Sequence, residues 1–271
     1  MSVFPTARLH NKTVLVTGAT SGIGAAAAVL FAKAGSNVIL AARRAQVLKE
    51  VAEKCAAAHK ESGLNVGGKF ATVQLDVSDK TQVASFWDKV PQDLKDVDVL
   101  VNNAGFVLGV EHAGDIKDAD IEAMFATNVF GLISITQLLV KHFKAKGSGH
   151  FINIGSIAGR EPYAGGSIYT ATKHAVHAFT ASMMRELVNT PIRVTEIQPG
   201  MVETEFSVIR FRGDASAAKK VYEGLEPLTG QDIAEEIVWA ASRPAHVQIA
   251  EVLVFPTNQA SATVNYRAPK A

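Results

Sequence analysis

The sequence predicts an α/β fold: a single domain over residues 1–271, in which a doubly wound, seven-stranded parallel sheet carries helices on both faces. Three observations lead to it. Short β-branched runs alternate with longer helix-patterned stretches from one end of the chain to the other. The runs are apolar on both faces, as strands are when helices cover both sides of a parallel sheet, and right-handed crossovers then wind that sheet outward from its centre. The chain has 271 residues, 48% hydrophobic and 20% charged, enough for one large core, and no linker, repeat or low-complexity tract divides it.

Residues 13–17 (TVLVT) form the first expected strand, followed by a glycine turn and an Ala-rich helix through Ala34. Residues 37–41 (NVILA) are the second strand, and a helix follows from about 45 to 59. Residues 70–75 and 97–101 (VDVLV) are the third and fourth. Between them a helix begins near Ser78, where the Ser78–Asp79 pair can cap its first turn. A long helix runs from Asp120 into the 140s, and HFINI from His150 is the fifth strand. A helix over 167–188 leads to IRVTEI from Ile192, the sixth strand, and EVLVF from Glu251 is the seventh. The core spans about 10–258, and residues 203–228 are its least regular stretch. A connection that long is expected to be a lid over a site. Residues 259–271 read as a tail, either without fixed structure or packed on another subunit.

Composition narrows the partners. Lys plus Arg total 27 against 26 for Asp plus Glu, so no electrostatic footprint for nucleic acid or an anionic membrane is present. Neither a signal-peptide pattern nor a run of roughly 18 apolar residues is evident, which makes a cytoplasmic protein acting on a small molecule the expectation. The single cysteine, Cys55, lies in a helical stretch and reads as an inert buried thiol.

Immediately after the first strand come Gly18, Thr20, Ser21, Gly22, Ile23 and Gly24, opening the Ala-rich helix. Glycines there let the backbone approach a pyrophosphate, and the helix start offers free N–H groups. The spacing is Gly-x3-Gly-x-Gly rather than G-x-G-x-x-G, so its place at the first βα turn, the phosphate site of Rossmann-type folds, carries the reading. At the end of the second strand stand Arg43 and Arg44 where an NAD enzyme usually has a carboxylate for the ribose. Arginine pairs with a 2′-phosphate, so NADP is the expected cofactor; the alternative is two solvated arginines at a helix start.

Tyr169 and Lys173 stand at i and i+4 on one helix face. Ser156 lies just beyond the fifth strand and Asn103-Ala104-Gly105 just beyond the fourth, both at the carboxyl edge where open α/β sheets build their sites. Asn128 lies on the following helix.

With these elements in order, the chain resembles the short-chain dehydrogenases/reductases. The matching segments are TGATSGIG from Thr17, LDVS with Asp76, NNAG from Asn102, TNVFG with Asn128, Ser156, YTATK from Tyr169, and PGMVET from Pro199. The resemblance implies a catalytic set of Asn128, Ser156, Tyr169 and Lys173. Tyr169 exchanges a proton with the substrate oxygen, Lys173 favours its phenolate and holds the nicotinamide ribose, Ser156 hydrogen-bonds the substrate, and Asn128 holds a water. It also implies cofactor contacts from Asp76 and Val77 to the adenine, from Asn103, Ala104 and Gly105 along the ribose path, and from Pro199, Gly200, Val202 and Thr204 near the carboxamide.

GSIAGREPYAGGSIY, PGMVETEFS with Arg210 and Arg212, and FPTNQAS are similar to the NADP-dependent 3-hydroxy acid dehydrogenase branch, also described as serine or L-allo-threonine dehydrogenases. That likeness implies oxidation of a 3-hydroxy acid at C3. A carboxylate substrate makes Arg160, Arg210 and Arg212 candidate partners, and Glu203 or Glu205 candidates for an amino group. The rival readings are a broad NADPH-dependent carbonyl reductase and a non-catalytic NADP-binding sensor or scaffold. A serine hydrolase is disfavoured, because Gly155-Ser156-Ile157 lacks the G-x-S-x-G elbow. His174 and His177 show no ligand spacing with an acidic partner, so no metal is expected. Family likeness further implies a homotetramer, with helices around 121–140 and 171–184 as subunit contacts.

Overall fold

The TVLVT run is buried at all five positions and forms β1 (Thr13–Thr17). Its residues alternate between two cores, Val14 and Val16 on one face and Leu15 on the other, which requires helices on both sides. The computed structural model describes residues 5–268. After β1 come α1 (Gly22–Lys33), β2 (Asn37–Ala42), α2 (Ala45–Glu61) and β3 (Phe70–Gln74). The chain continues through α3 (Lys80–Ala84), α4 (Phe86–Lys89), β4 (Val97–Asn102), α5 (Asp118–Phe125), α6 (Leu132–Lys146) and β5 (Gly149–Ile154). It closes with α7 (Ser167–Glu186), β6 (Ile192–Pro199), α8 (Glu205–Arg210), α9 (Ala215–Lys220), α10 (Gly230–Ala241) and β7 (Glu251–Val254).

The strands hydrogen-bond in the order β3-β2-β1-β4-β5-β6-β7, every pair parallel, as the expected doubly wound sheet requires. The order reverses between β1 and β4, and the crevice at that switch point is where such sheets bind ligands. Phe31 of α1 and Ile237 of α10 pack on one face; Ile135, Leu139 and Phe143 of α6 and Met183 of α7 pack on the other.

Four features depart from the expected elements. The helix expected from Ser78 is two short pieces, and Asp79 alone caps it, accepting from the N–H groups of Thr81 (2.9 Å) and Gln82 (3.1 Å). The Ser78 hydroxyl instead donates to Asp76, and Ser85 bonds back to the Thr81 carbonyl where the helix breaks. The long helix is interrupted by a π-helical segment, Ala126–Gly131. By length and composition the span Asp118–Lys146 is apolar enough to cross a bilayer, yet Ile135, Leu139 and Phe143 bury its face in the core. A helix not assigned from the sequence, α10, starts on a capping box between Thr229 and Asp232. The expected tail is folded through Ala268: the Tyr266 N–H closes it on itself by donating to the Asn258 carbonyl, and the Ala268 N–H docks it on this chain's own 203–228 segment by donating to the Gly224 carbonyl. Its last residues, 269–271, lie outside the described residues, as do 1–4.

Candidate active site

At the end of β1 the chain turns into α1 through Gly18 and Gly22, at φ 65° and 53°, a region that disfavours any side chain. A Cβ on Gly24 would strike the Asn103 side chain and the Gly18 carbonyl, so the helix start sits as close to the strand ends as backbone allows. Asn103 fixes this turn, donating to the carbonyls of Thr17 (3.0 Å) and Gly18 (3.1 Å), while the Thr17 hydroxyl accepts from the N–H groups of Asn103 and Ala104 (both 3.1 Å). A backbone cradle of this kind fits a pyrophosphate. Beside it, Arg44 donates to the hydroxyls of Thr20 (2.9 Å) and Ser21 (3.2 Å) and pairs with Glu205 of α8 at 3.0 Å. The neighbouring Arg43 is exposed, and β2 ends in Ala41 and Ala42, with no acid to repel a 2′-phosphate.

From this turn a cleft of about 390 Å³ runs along the strand ends. It is lined by Gly18, Ser21, Gly22, Ile23, Asn103, Ala104 and Gly105 at one end, and by Ser156, Tyr169 and Lys173 further along. Pro199, Gly200, Val202 and Thr204 line it from the β6 side. Thr20, Gly24, Arg43, Arg44, Asp76 and Val77 are not in its lining. Asp76 instead caps its own turn, accepting from the Ser78 N–H (3.0 Å) and hydroxyl (2.7 Å), and Val77 is buried against Gly131.

Tyr169 and Lys173 project from the same face of α7, and both are buried. The Lys173 ammonium donates to the Ile154 carbonyl at 2.8 Å and lies 5.8 Å from the centre of the Tyr169 ring. Burial lowers Lys173 to about 8, the nearby Glu196 charge working against it. Burial also pushes the Tyr169 phenol up, aided by Tyr163 and opposed by the Ser156 hydroxyl and the Arg210 charge. Ser156 accepts from the Ala158 N–H at 3.1 Å. Asn128 does not line the cleft; both ends of its amide clamp the Phe106 backbone (2.8 and 3.0 Å), and its NH₂ reaches the Thr172 hydroxyl at 3.2 Å. It sits in the π segment, a feature frequent at functional sites.

A model of the short chain dehydrogenase family matches residues 12–213. The chain belongs to this family. Among its relatives is the NADP-dependent 3-hydroxy acid dehydrogenase of Schizosaccharomyces pombe, 43% identical over 96% of this chain and 98% of that one. Sulfoacetaldehyde reductase 2 of Chromohalobacter salexigens is 41% identical over 92% of this chain and 96% of its own length. Among solved structures, the closed form of serine dehydrogenase complexed with NADP+ superposes with a TM-score of 0.86 at 37% identity, covering 95% of this chain and all of that one (100%).

In this short-chain dehydrogenase the three candidate arginines separate. Arg210 lines the cleft and stacks 5.4 Å from the Tyr163 ring centre, donating to the carbonyls of Gly109 (3.3 Å) and Gly165 (3.0 Å) and to the Tyr163 hydroxyl (3.3 Å), all neutral acceptors. Arg160 and Arg212 stay outside the lining: Arg160 is held by Gln198 and Glu251, and Arg212 by Asp120 at 2.6 Å and Glu111 at 3.6 Å. Glu203 is also outside it, whereas Glu205 is part of it. Sequence reading did not find Tyr163, Phe206, Tyr222, Gln259 and Arg267, which also line the cleft. The Phe206 ring of α8 meets Tyr169 edge-on at 5.4 Å. Arg267 had no local signal, because what brings it here is the tail folding back to the carbonyls of Val221 (3.0 Å) and Glu223 (2.7 Å).

His174 turns to the Thr170 carbonyl of its own helix (2.8 Å). His177 does acquire acidic neighbours, Glu196 and Glu251, with ligand atoms within 4.8 Å of one another. Both lie on strands far along the chain, which sequence spacing could not reveal, and Arg160 already pairs with Glu251.

Proposed function

We propose that this chain is an NADP-dependent oxidoreductase that interconverts the C3 hydroxyl of small 3-hydroxy acids (serine, L-allo-threonine and 3-hydroxyisobutyrate types) with the 3-oxo group. The observation that carries it is the meeting of Ser156, Tyr169 and Lys173 on the cleft that begins at the glycine turn. Bound there, a nicotinamide dinucleotide supplies or accepts the hydride. The backbone of Gly18 to Gly24 would hold its pyrophosphate, Arg43 and Arg44 its 2′-phosphate, Asp76 and Val77 its adenine, and Lys173 its nicotinamide ribose. Tyr169 then gives a proton to the carbonyl oxygen in reduction and takes it back in oxidation. Ser156 donates a hydrogen bond to that oxygen as charge develops on it. The Lys173 ammonium favours the phenolate by its charge, and Asn128 braces Thr172 beside it while holding the water that links Lys173 to solvent.

Arg210 supports the acid substrate class, because its guanidinium reaches the cleft with only neutral partners. The similarity to an enzyme named for a sulfonated aldehyde supports a second reading, an NADPH-dependent carbonyl reductase for aldehydes or ketones. The ratio of kcat/KM for L-allo-threonine to that for a neutral alcohol separates the two. We likewise infer a cytoplasmic homotetramer, for which Phe130, 57% exposed on the π segment, offers an apolar contact; light scattering of the purified protein measures it.

The direct test is a screen of 3-hydroxy acids with NADP and NAD in parallel, repeated with Tyr169→Phe. Turnover with NADP is expected, falling by roughly 10²- to 10⁴-fold in the variant, the range of a lost general acid–base. Undiminished turnover by Tyr169→Phe removes the mechanism.

A further inference from the structure

β6 carries a carboxylate where a core normally has an apolar side chain. Glu196 is only 1% exposed and sits on the sheet face covered by α7, in line with Val194. Its Oε2 lies 2.8 Å from His177 Nδ1, and its Oε1 has no hydrogen-bond partner. A buried carboxylate with an unused oxygen is expensive, and such a group calls for a functional explanation.

Its surroundings supply one. The unpartnered Oε1 is the first atom that a side chain on Gly155 would strike, so the carboxylate lies directly on the backbone of that residue. Gly155 separates Ile154, whose carbonyl accepts from the Lys173 ammonium, from Ser156. On α7, Lys173 and His177 are one helical turn apart, so Glu196 faces the stretch of helix that carries both. The other charged groups of this region are accounted for. Glu251, the register partner of Glu196 on β7, is held by Arg160, which also bonds Gln198 beside His177. Glu196 is therefore the carboxylate of this cluster that is bound to no guanidinium, and its charge is what opposes the effect of burial on Lys173.

We propose that Glu196, clamped by His177, is a positioning residue for the proton transfer: from behind the Ile154–Ser156 backbone, its carboxylate keeps Lys173 an ammonium on the Ile154 carbonyl. This rests on the Tyr169–Lys173 chemistry proposed above. Glu196 touches no reacting atom; it acts through the lysine.

Lys173 lines the cleft, so its protonation can be followed in the ligand-free protein by acetic anhydride labelling against pH, read by peptide mass spectrometry. Only the neutral amine reacts. Glu196→Gln keeps the shape and removes the charge. Its labelling midpoint is expected to fall by about one pH unit, in the range of a lost opposite charge nearby, and the alkaline limb of kcat/KM is expected to move with it. Glu196→Asp should recover part of the shift. Equal midpoints in the wild type and Glu196→Gln overturn the proposal. So does a uniform loss of kcat at every pH with the limb unmoved, which marks a purely structural role. Should Glu196→Gln not fold, Glu196→Ala removes the charge without the bulk, and a midpoint that stays in place there is equally fatal. Failure of the reading above shows separately, as a wild-type protein that turns over neither hydroxy acids nor aldehydes, because the labelling measurement needs no substrate.

Discussion

Lys173 has two opposite demands on it. It is buried beside Tyr169, and in the proposed mechanism it must be charged to favour the phenolate, but burial lowers it to about 8. Tyr169, pushed up by burial, stays a phenol through the neutral range and is ready to donate. The rate of carbonyl reduction should therefore hold level through neutral pH and fall as pH rises through about 8, where the lysine loses its proton. A kcat/KM profile for reduction that keeps rising beyond that point contradicts this account. Arg210 makes a different demand, since a substrate carboxylate would be its first charged partner. Arg210→Ala should raise KM for a 3-hydroxy acid by about 10- to 100-fold, the value of a hydrogen bond to a charged group, and leave KM for a neutral alcohol unchanged. Equal losses for both substrates mean that Arg210 only braces Gly109 and Gly165. The legibility of the site divides on the same ground. Ser156, Tyr169 and Lys173 could be read because their spacing is set by one strand end and one helix. Arg160 and Arg212 could not, because Glu251 and Asp120, which claim them, come from distant elements.

Elements followed from local pattern wherever burial was two-sided. All seven strands stand where the β-branched runs were, within two residues at each end. The departures arise where side chains compete with the backbone, as at Asp79 and Ser85, or where packing rather than periodicity decides, as in the π segment. β5 and β6 also hold a titratable group that pattern alone hides. His150 is fully buried, and its Nε2 lies 2.8 Å from the Thr195 hydroxyl, which spends its own proton on the Ile249 carbonyl (2.6 Å). His150 is thus the donor through Nε2, and Nδ1, which has no partner, is the atom that would have to accept a proton. Burial, and then the charge of Arg193, hold the histidine well below its ordinary value. The unfolded chain takes up that proton near pH 6.5 while the folded one refuses it, so stability is lost as pH falls below about 6.5, by up to about 1.4 kcal/mol per pH unit. Thermal melts from neutral to mildly acid pH should show a smaller acid-induced drop in Tm for His150→Asn than for the wild type, whatever its Tm at neutral pH. Parallel curves would mean that other groups govern the acid response.

At the scale of the molecule, the sheet makes one wall of the cleft, and the 203–228 segment with the tail makes the other. That segment is tied to the main body by few polar links: Leu228 to Met201 through the backbone, Tyr222 to the Val202 carbonyl (2.9 Å), Arg210 to Gly109, Arg212 to α5, and Arg44 to Glu205. The tail adds another set. Gln259 accepts from the Met201 N–H at 2.8 Å, and the Ala262 N–H donates to Glu161 at 2.9 Å. Arg267 then holds the carbonyls of Val221 and Glu223, and the Ala268 N–H reaches Gly224. Almost all of these acceptors are backbone carbonyls or single side chains from scattered parts of the chain, so no hydrophobic period announces them in the sequence. The sheet owes the tail little: β7 ends at Val254, and both cores are built from residues before it or within it. Ending the chain after Asn258 should accordingly leave the fold nearly as stable, with Tm lower by only a few degrees. The same truncation should loosen the cleft's outer wall, raising KM for the substrate by about tenfold or more, as expected for losing several hydrogen bonds, and exposing residues 203–228 to proteolysis first. A truncated protein with an unchanged KM and an unchanged cleavage pattern would show that the segment holds itself, and the tail would then have no part in shaping the site.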